Sequence, residues 1–179
     1  KTKKIRALIV SPTRELALQI AQNFKTYSAY TNLKTIAIFG GASIEPQIEL
    51  LKKGVDIVIA TPGRLLDLHK QDQINLDHIK ILVLDEADLM LDMGFIPDVK
   101  RIVSQMPQKG ERQTLLFSAT LEEKILNLAS GWLADPVVIE SEPEKMVSDN
   151  IEQTFYSVLR EEKLALLLYL LRTMEYERV

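Results

Sequence analysis

The sequence predicts an α/β fold with a doubly wound, mostly parallel sheet. Short apolar runs rich in Ile, Val and Leu recur along the 179 residues, and longer stretches with helical periodicity lie between them. The runs show little polar alternation, which is typical of strands buried on both faces of a parallel sheet. Alternating strands and helices favour right-handed crossover connections within one sheet.

Six runs are predicted to be strands because they are short, apolar and separated by polar, Gly or Pro residues. Helices are predicted between them, the first because apolar residues recur every three or four positions from Leu16 to Tyr27. The second, Glu45–Lys53, is followed by Gly54, a typical helix stop. The predicted strands are Ile5–Val10, Thr35–Phe39, Val55–Ala60, Ile79–Leu84, Thr114–Phe117 and Val137–Ile139, and the further helices lie at about 62–70, 95–106, 121–133 and 160–174.

The composition excludes several classes of protein. The 22 Lys and Arg against 25 Asp and Glu give a net charge of −3, which excludes a strongly basic nucleic-acid-binding protein. The absence of cysteine excludes a disulfide framework, a Cys-ligated zinc site and a thiol nucleophile. No apolar stretch is long enough for a transmembrane helix, so we expect a cytoplasmic protein that does not contact a membrane.

Small, Gly, Pro or charged residues follow five of the six predicted strands, where ligands bind in open α/β sheets. Strand-to-helix turns favour such residues for structural reasons alone. Thr61 and Pro62 suit the start of a helix, and Thr120 with Glu123 has the spacing of a capping box. The five segments are 11–15, Gly40-Gly41, 61–64, 85–88 and 118–120.

The structural preferences of strand-to-helix turns do not explain two arginines at these strand ends. Arg14 and Arg64 fall where the first turn of a helix is predicted, and a cation there opposes the helix dipole by ~0.3–1 kcal/mol. A phosphate bound at the helix N-terminus would reverse the sign of that effect. Gly40, Gly41 and Gly63 would allow a ligand to approach the backbone closely. Several such segments on one sheet edge favour a long polyanion.

An acidic cluster follows the fourth predicted strand. Asp85 and Glu86 come directly after a buried run, and Asp88, Asp92 and Asp98 follow without an intervening Lys or Arg. Like-charged carboxylates repel each other unless a cation lies among them. Mg²⁺ takes one or two carboxylates together with waters and phosphate oxygens. In nucleoside triphosphatases one such carboxylate positions the metal, and an adjacent one can activate the attacking water.

Together these segments resemble the DEAD-box family of ATP-dependent RNA helicases, and in detail its bacterial members. The motifs occur in the family's order over nearly the whole chain, and their ordered occurrence is far more specific than any single tetrapeptide. The resemblance implies a RecA-like P-loop NTPase fold and ATP and Mg²⁺ as cofactors. The matching motifs are Pro12-Thr-Arg-Glu-Leu-Ala17, Gly40-Gly41, Thr61-Pro-Gly-Arg64, Asp85-Glu-Ala-Asp88 and Ser118-Ala-Thr120.

The resemblance also implies a role for each motif. Asp85 would hold Mg²⁺, largely through water, and Glu86 would activate the water that attacks the γ-phosphate. Asp88, Ser118 and Thr120 would couple hydrolysis to strand separation. RNA would be contacted along its sugar-phosphate backbone, with little sequence specificity. The RNA-binding residues would be Pro12, Thr13, Arg14, Gly40, Gly41, Thr61, Gly63 and Arg64.

The sequence departs from the family at its start. A phosphate-binding loop needs a Gly-Lys pair, and none occurs in this chain. We therefore expect residues 1–140 to be a first helicase domain that lacks the start of its nucleotide cradle, 141–150 a polar linker and 151–179 the start of a second domain, with a strand at Ile151–Val158. Alone, the chain is expected to be inactive, with the chemistry belonging to a longer protein whose partners include RNA and, as candidates, RNA-decay or ribosome-assembly proteins.

Two other functions remain open. A helicase-like domain could bind RNA or protein without hydrolysing ATP, although a pure binder does not need Asp85, Glu86 and the Ser118-Ala-Thr120 segment. A doubly wound domain for another phosphate or cofactor could match the motifs by chance, which their order and the two arginines disfavour.

Overall fold

A computed structural model describes residues 4–141 and 154–174 of the chain. The chain divides into two compact units, Lys1–Val137 and Val138–Val179. Among the described residues, the first holds a five-stranded sheet with its helices, and the second holds one 3₁₀ turn and one helix. None of the helices in the described ranges is long and apolar enough to cross a membrane.

All five strands of the first unit are parallel and run in the order β2-β3-β1-β4-β5. In register, Val10 pairs with Ala60 on one side and with Leu84 on the other, so neighbouring strands end at the same level. The strands are β1 (Ala7–Val10), β2 (Thr35–Ile38), β3 (Ile57–Ala60), β4 (Ile81–Leu84) and β5 (Gln113–Leu116).

The helices connect these strands in the predicted alternation. Gly54 ends the second helix in a left-handed conformation, with φ of 77°, as the sequence predicts. A short helix, α4, directly after β4 was not predicted. The helices are α1 (Arg14–Tyr27), α2 (Glu45–Lys52), α3 (Pro62–Lys70), α4 (Ala87–Asp92), α5 (Ile96–Val103) and α6 (Glu123–Trp132), with a 3₁₀ turn (Arg160–Glu162) and α7 (Lys163–Thr173) in the second unit.

Alternate side chains of the strands form two apolar clusters, one on each face of the sheet. Ile9, Ile57 and Ile59 pack against α1 on one face. Leu8, Val58 and Leu82 belong to the larger cluster on the other face, which includes buried residues of α3, α5 and α6. Helices on both faces of a parallel sheet confirm the predicted doubly wound α/β fold.

The prediction of a sixth strand at Val137–Ile139 is wrong. These three side chains are 65–88% exposed, and the segment pairs with no strand among the described residues. Asp135 adopts a positive φ of 45° just before Pro136, which interrupts regular backbone structure between α6 and this segment. The composition is that of a strand, but a strand also needs a neighbour. Residues 154–158 are likewise not a strand, and 151–153, with 142–150 of the predicted linker, lie outside the described residues.

Candidate functional site

The carboxyl ends of the strands lie side by side and continue the sheet by one hydrogen bond each. The N–H of Ser11 donates to Ala60 O at 3.0 Å, and that of Asp85 donates to Val10 O at 3.0 Å. On the outer strands, Thr61 N–H donates to Ile38 O at 2.9 Å, and Phe117 N–H donates to Leu84 O at 2.8 Å. All predicted site residues therefore follow the strands at one edge of the sheet.

Strand order divides these residues into two groups. Strand β2 leads into Gly40 and Gly41, its neighbour β3 leads into 61–64, and the next strand, β1, leads into 12–14. We call these three segments the glycine-arginine group. The neighbouring strands β4 and β5 lead into Asp85, Glu86, Asp88, Ser118 and Thr120, which we call the carboxylate group.

In the glycine-arginine group, both arginines contact the loop Phe39–Ser43 (the 39–43 loop). Nη2 of Arg64 donates to Ala42 O at 2.8 Å. The guanidinium of Arg14 lies 4.9 Å from the centre of the Phe39 ring, within the range of a cation–π contact. Both arginines lie in the first turn of a helix, as predicted. Nη1 of Arg64 is buried without an acceptor among the described residues.

The two helix starts in this group differ in their capping. Oγ1 of Thr13 accepts the N–H of Leu16 at 3.3 Å and so caps α1. Thr61 occupies the N-cap of α3 and Pro62 its first turn, as predicted, but the Thr61 side chain accepts no capping hydrogen bond. The first turn of α3 therefore has N–H groups that no cap side chain satisfies. Pro12 is buried at the end of β1.

The three glycines of this group face open space. Gly41 has a φ of 72°, a conformation that favours glycine. At Gly40 and Gly63, by contrast, φ is ordinary, and an added Cβ would meet no atom within 4 Å. In the described part of the chain, packing gives no reason for glycine at these two positions.

In the carboxylate group, Asp85 and Glu86 occupy the turn between β4 and α4. Partial burial raises the pKa of the Asp85 carboxyl, against the smaller opposing effect of the Glu86 backbone N–H. Glu86 has left-handed backbone angles, φ 53° and ψ 54°. Such a conformation costs an L-residue roughly 1–2 kcal/mol. Backbone strain of this kind is concentrated at functional sites.

Asp88 links the carboxylate group across the two strands. Its Oδ2 accepts Thr120 N–H at 3.0 Å and Thr120 Oγ1 at 3.3 Å, and its Oδ1 accepts Leu89 N–H at 2.9 Å. Partial burial acts to raise the pKa of Asp88, but these backbone N–H groups and the Ser118 hydroxyl outweigh it and hold the pKa below its usual range. Ser118 Oγ itself is buried, and it makes no hydrogen bond of standard geometry with the residues that the structure describes.

The expected capping box at Thr120 is not formed. Helix α6 begins at Glu123, its N-cap is Glu122, and no side chain caps it. The Thr120 hydroxyl donates to Asp88 instead, because the turn after β5 brings the two residues together. The sequence spacing between Thr120 and Glu123 predicted a local capping role for Thr120. In the structure its hydroxyl instead contacts a residue 32 positions away.

The carboxylate group offers Mg²⁺ few protein ligands. In the described ranges, no three His, Cys, Asp or Glu side chains come close enough to form a metal cage. Mg²⁺ does not require one, since it keeps several waters and uses one or two carboxylates. Asp85 is half-buried with its ionised form disfavoured, and a cation would relieve that penalty. Its carboxylate therefore suits a metal held largely through water.

Sequence reasoning missed one residue of this edge. Gln47 of α2 is buried, and its carboxamide makes hydrogen bonds to both ends of the 39–43 loop. A polar residue at a core position of a helix was the signal that could have identified it, since buried amides need hydrogen-bonding partners.

The chain is similar in sequence and in structure to known proteins. The family model of the DEAD/DEAH box helicase matches residues 1–128. The ATP-dependent RNA helicase RhlB of Pseudomonas aeruginosa (strain UCBPP-PA14) is 48% identical over 175 residues, which are 97% of this chain and 44% of the relative. RhlB of Xanthomonas axonopodis pv. citri (strain 306) is 45% identical over 174 residues, 97% of this chain and 30% of the relative. The crystal structure of the yeast DEAD-box splicing factor Prp28 superposes with a TM-score of 0.67 at 37% identity, over 74% of this chain and 31% of that chain. The chain thus spans less than half the length of these relatives.

Proposed function

Because the chain belongs to the DEAD/DEAH box helicase family, we propose that it supplies the RNA-contacting and water-activating parts of an ATP-dependent RNA helicase. The observation that carries this proposal is the sheet edge, where the glycine-arginine group and the carboxylate group follow adjacent parallel strands. One group suits a phosphate backbone and the other suits hydrolysis of a nucleotide. A single edge that holds both can couple the two events.

The carboxylate group supports hydrolysis. Asp85 would hold Mg²⁺ through its water ligands, and the metal would neutralise charge on the phosphates. Glu86 would accept the proton of the attacking water, a general-base contribution of roughly 10²–10⁴ in rate. The left-handed backbone of Glu86 fixes the direction in which its side chain leaves the turn. ATP would be the substrate, with its phosphate-binding loop supplied from outside these 179 residues, because the chain contains no Gly-Lys pair.

The link between Asp88 and Thr120 supports coupling. It joins the turn that carries Glu86 to the segment after β5 through two hydrogen bonds to one carboxylate oxygen. A change at Glu86 on hydrolysis would therefore be transmitted to Ser118 and Thr120. These residues would pass it to the RNA-binding segments at the same edge of the sheet.

The glycine-arginine group supports contact with the RNA backbone. Arg14, Arg64 and the uncapped first turn of α3 supply positive charge, and the open space at Gly40, Gly41 and Gly63 allows close approach. Contacts of this kind bind phosphates and carry no sequence information directly. Thr13 and Thr61 would complete the contact surface, and the buried Pro12 would support the turn that carries Thr13 and Arg14.

The wider arrangement is part of the same proposal. Residues 1–140 would belong to a first helicase domain, 141–150 to a linker and 151–179 to a second domain. The protein would act in the cytoplasm, with RNA-decay or ribosome-assembly proteins as candidate partners. The isolated 179-residue chain would hydrolyse no ATP, because it lacks a phosphate-binding loop.

The test is Glu86→Gln in the full-length helicase. The amide keeps the shape of the side chain but cannot act as a base, so turnover should fall by roughly 10²–10⁴ while ATP-dependent RNA binding persists. RNA-stimulated phosphate release and RNA affinity with ATP present would be measured on the same preparation. Unchanged turnover would remove Glu86 from the base role. An unsubstituted protein that binds RNA without any turnover would favour a binding domain without ATPase activity.

A further inference from the structure

One buried side chain holds both ends of the 39–43 loop. Oε1 of Gln47 accepts the backbone N–H of Phe39 at 3.2 Å. Its Nε2 donates to Phe39 O at 3.2 Å and to Ser43 O at 3.0 Å. Gln47 is only 7% exposed, so it lies beneath the loop rather than on the contact surface.

Each donor and acceptor of the Gln47 carboxamide has a hydrogen-bonding partner in this loop. Both of its N–H donors meet carbonyl oxygens, and its own oxygen meets an N–H. Neither a carboxylate nor an apolar side chain of the same length offers this combination. Replacement would leave up to three backbone groups without a partner, and polar groups without partners destabilise the conformation that buries them.

The loop that Gln47 holds is also the one that the two arginines contact. Arg64 donates to Ala42 O, and Arg14 lies over the ring of Phe39. Gly40 and Gly41, at the tip of the loop, are exposed. A shift of the loop would therefore displace two guanidinium groups and the glycine backbone together.

We propose that Gln47 is a positioning residue for RNA, which fixes the 39–43 loop and thereby aligns Arg14, Arg64 and the glycine backbone with the RNA phosphates. The proposal rests on the function proposed above. Gln47 does not contact RNA. It orders the loop before RNA arrives, so the entropy of ordering is not lost at the moment of binding.

The experiment measures RNA-stimulated ATPase activity of the full-length helicase as a function of the concentration of a short uridine oligomer. Gln47→Glu keeps the shape of the side chain but replaces two donors with an acceptor, and Gln47→Met removes all three hydrogen bonds without adding charge. Gln22→Glu is the matched control, because it adds the same charge at an exposed position of α1. Thermal unfolding is recorded for every variant.

We expect both Gln47 variants to raise KM for RNA by about 10-fold and to leave kcat at saturating RNA within about two-fold, since a disordered loop weakens binding but not the chemical step. Gln22→Glu should leave both constants unchanged.

If the Gln47 variants lower Tm but leave KM unchanged, Gln47 is purely structural and the proposal fails. A rise in KM for Gln47→Glu alone would mean charge repulsion and would also overturn it. Should Gln47→Glu not fold, Gln47→Met decides. A wild-type protein with no response to RNA would refute the proposed function itself, and this inference with it.

Discussion

Asp88 and Thr120, 32 residues apart, share two hydrogen bonds through a single carboxylate oxygen. The backbone N–H of Thr120 makes one and its hydroxyl the other, so the side chain can be altered while the backbone contact stays. This pair joins the turns after β4 and β5, on which the proposed hydrolysis and coupling residues lie.

Thr120→Val should separate ATP hydrolysis from duplex unwinding. Valine keeps the shape of threonine but removes the hydroxyl contact with Asp88 at 3.3 Å, and the backbone N–H contact remains. We expect the unwinding rate of the full-length helicase to fall about 10-fold or more while ATP turnover changes by less than about three-fold. Strand displacement and phosphate release would be measured together. Thr26→Val is the control, because the Thr26 hydroxyl donates within its own helix, to Gln22 O. Equal losses of unwinding and turnover would contradict a coupling role.

Asp85→Asn should stabilise the fold at neutral pH. Burial raises the pKa of Asp85, so the folded state binds this proton more tightly than the unfolded chain does. Ionisation at neutral pH therefore lowers the free energy of unfolding, and the neutral amide avoids that loss. The gain in Tm should be complete above the folded pKa of Asp85 and should vanish as the pH falls through it towards the ordinary value of about 3.9.

Thermal unfolding of Asp85→Asn would be followed from neutral to acid pH, with Asp67→Asn at an exposed position of α3 as the control. A variant less stable than the parent at pH 7 would mean that the Asp85 carboxylate is stabilising. ATP turnover in the full-length protein should be lost even though stability rises.

Glu86→Gly should relieve backbone strain. Glycine adopts the left-handed conformation without the penalty of roughly 1–2 kcal/mol, although its freedom in the unfolded chain offsets about 0.5–1 kcal/mol. We expect the free energy of unfolding to rise by about 0–1.5 kcal/mol and turnover to be lost. Asp72→Gly is a close control, since Asp72 has a similar φ of 55° in the turn after α3. Denaturant titration of both variants tests the strain. A clear loss of stability in Glu86→Gly would show that the Glu86 side chain stabilises the turn.

Gly63→Ala should distinguish a folding role from a binding role. An added Cβ meets no atom within 4 Å, and alanine favours helices over glycine by up to about 1 kcal/mol, so stability should be unchanged or higher. RNA affinity should fall about 10-fold, because the methyl group would stand where the proposed RNA backbone approaches. Gly131→Ala in α6 has the same open surroundings and should leave affinity unchanged. Fluorescence anisotropy with labelled RNA gives the affinities, and undiminished binding by Gly63→Ala would exclude close approach at this position.

Arg64→Ala should weaken binding about equally for RNAs of different sequence. The loss of one phosphate contact would lower the slope of log affinity against log salt concentration by about one. Arg101→Ala is the control, because Arg101 is exposed on α5 and pairs with Asp98 of the same helix. Binding would be measured on several RNA sequences over a range of salt concentrations. A loss confined to some sequences would imply contacts with bases instead.

The alternation of apolar runs and helical periods predicted the strand-helix order, because strands buried on both faces of a sheet are composed almost entirely of apolar residues. Val137–Ile139 is equally apolar but is exposed. A strand also needs a pairing partner, and pairing depends on residues far away in the sequence. The capping box predicted at Thr120 is absent for a related reason, because Thr120 contacts Asp88, 32 residues away. Gln47 was missed although its partners Phe39 and Ser43 lie only eight and four residues away, because its role depends on its burial beneath the 39–43 loop.

The five strands are each four residues long and in register. Backbone hydrogen bonds between the strands therefore fix the position, along the strand direction, of each turn that carries site residues. Exchange of one core aliphatic residue for another leaves that alignment in place. Insertion of one residue into a strand would raise its turn by about 3.3 Å and reverse which side chains face each layer of helices. Natural variation at this edge should therefore accumulate as side-chain substitutions, while changes of length are confined to the opposite ends of the strands.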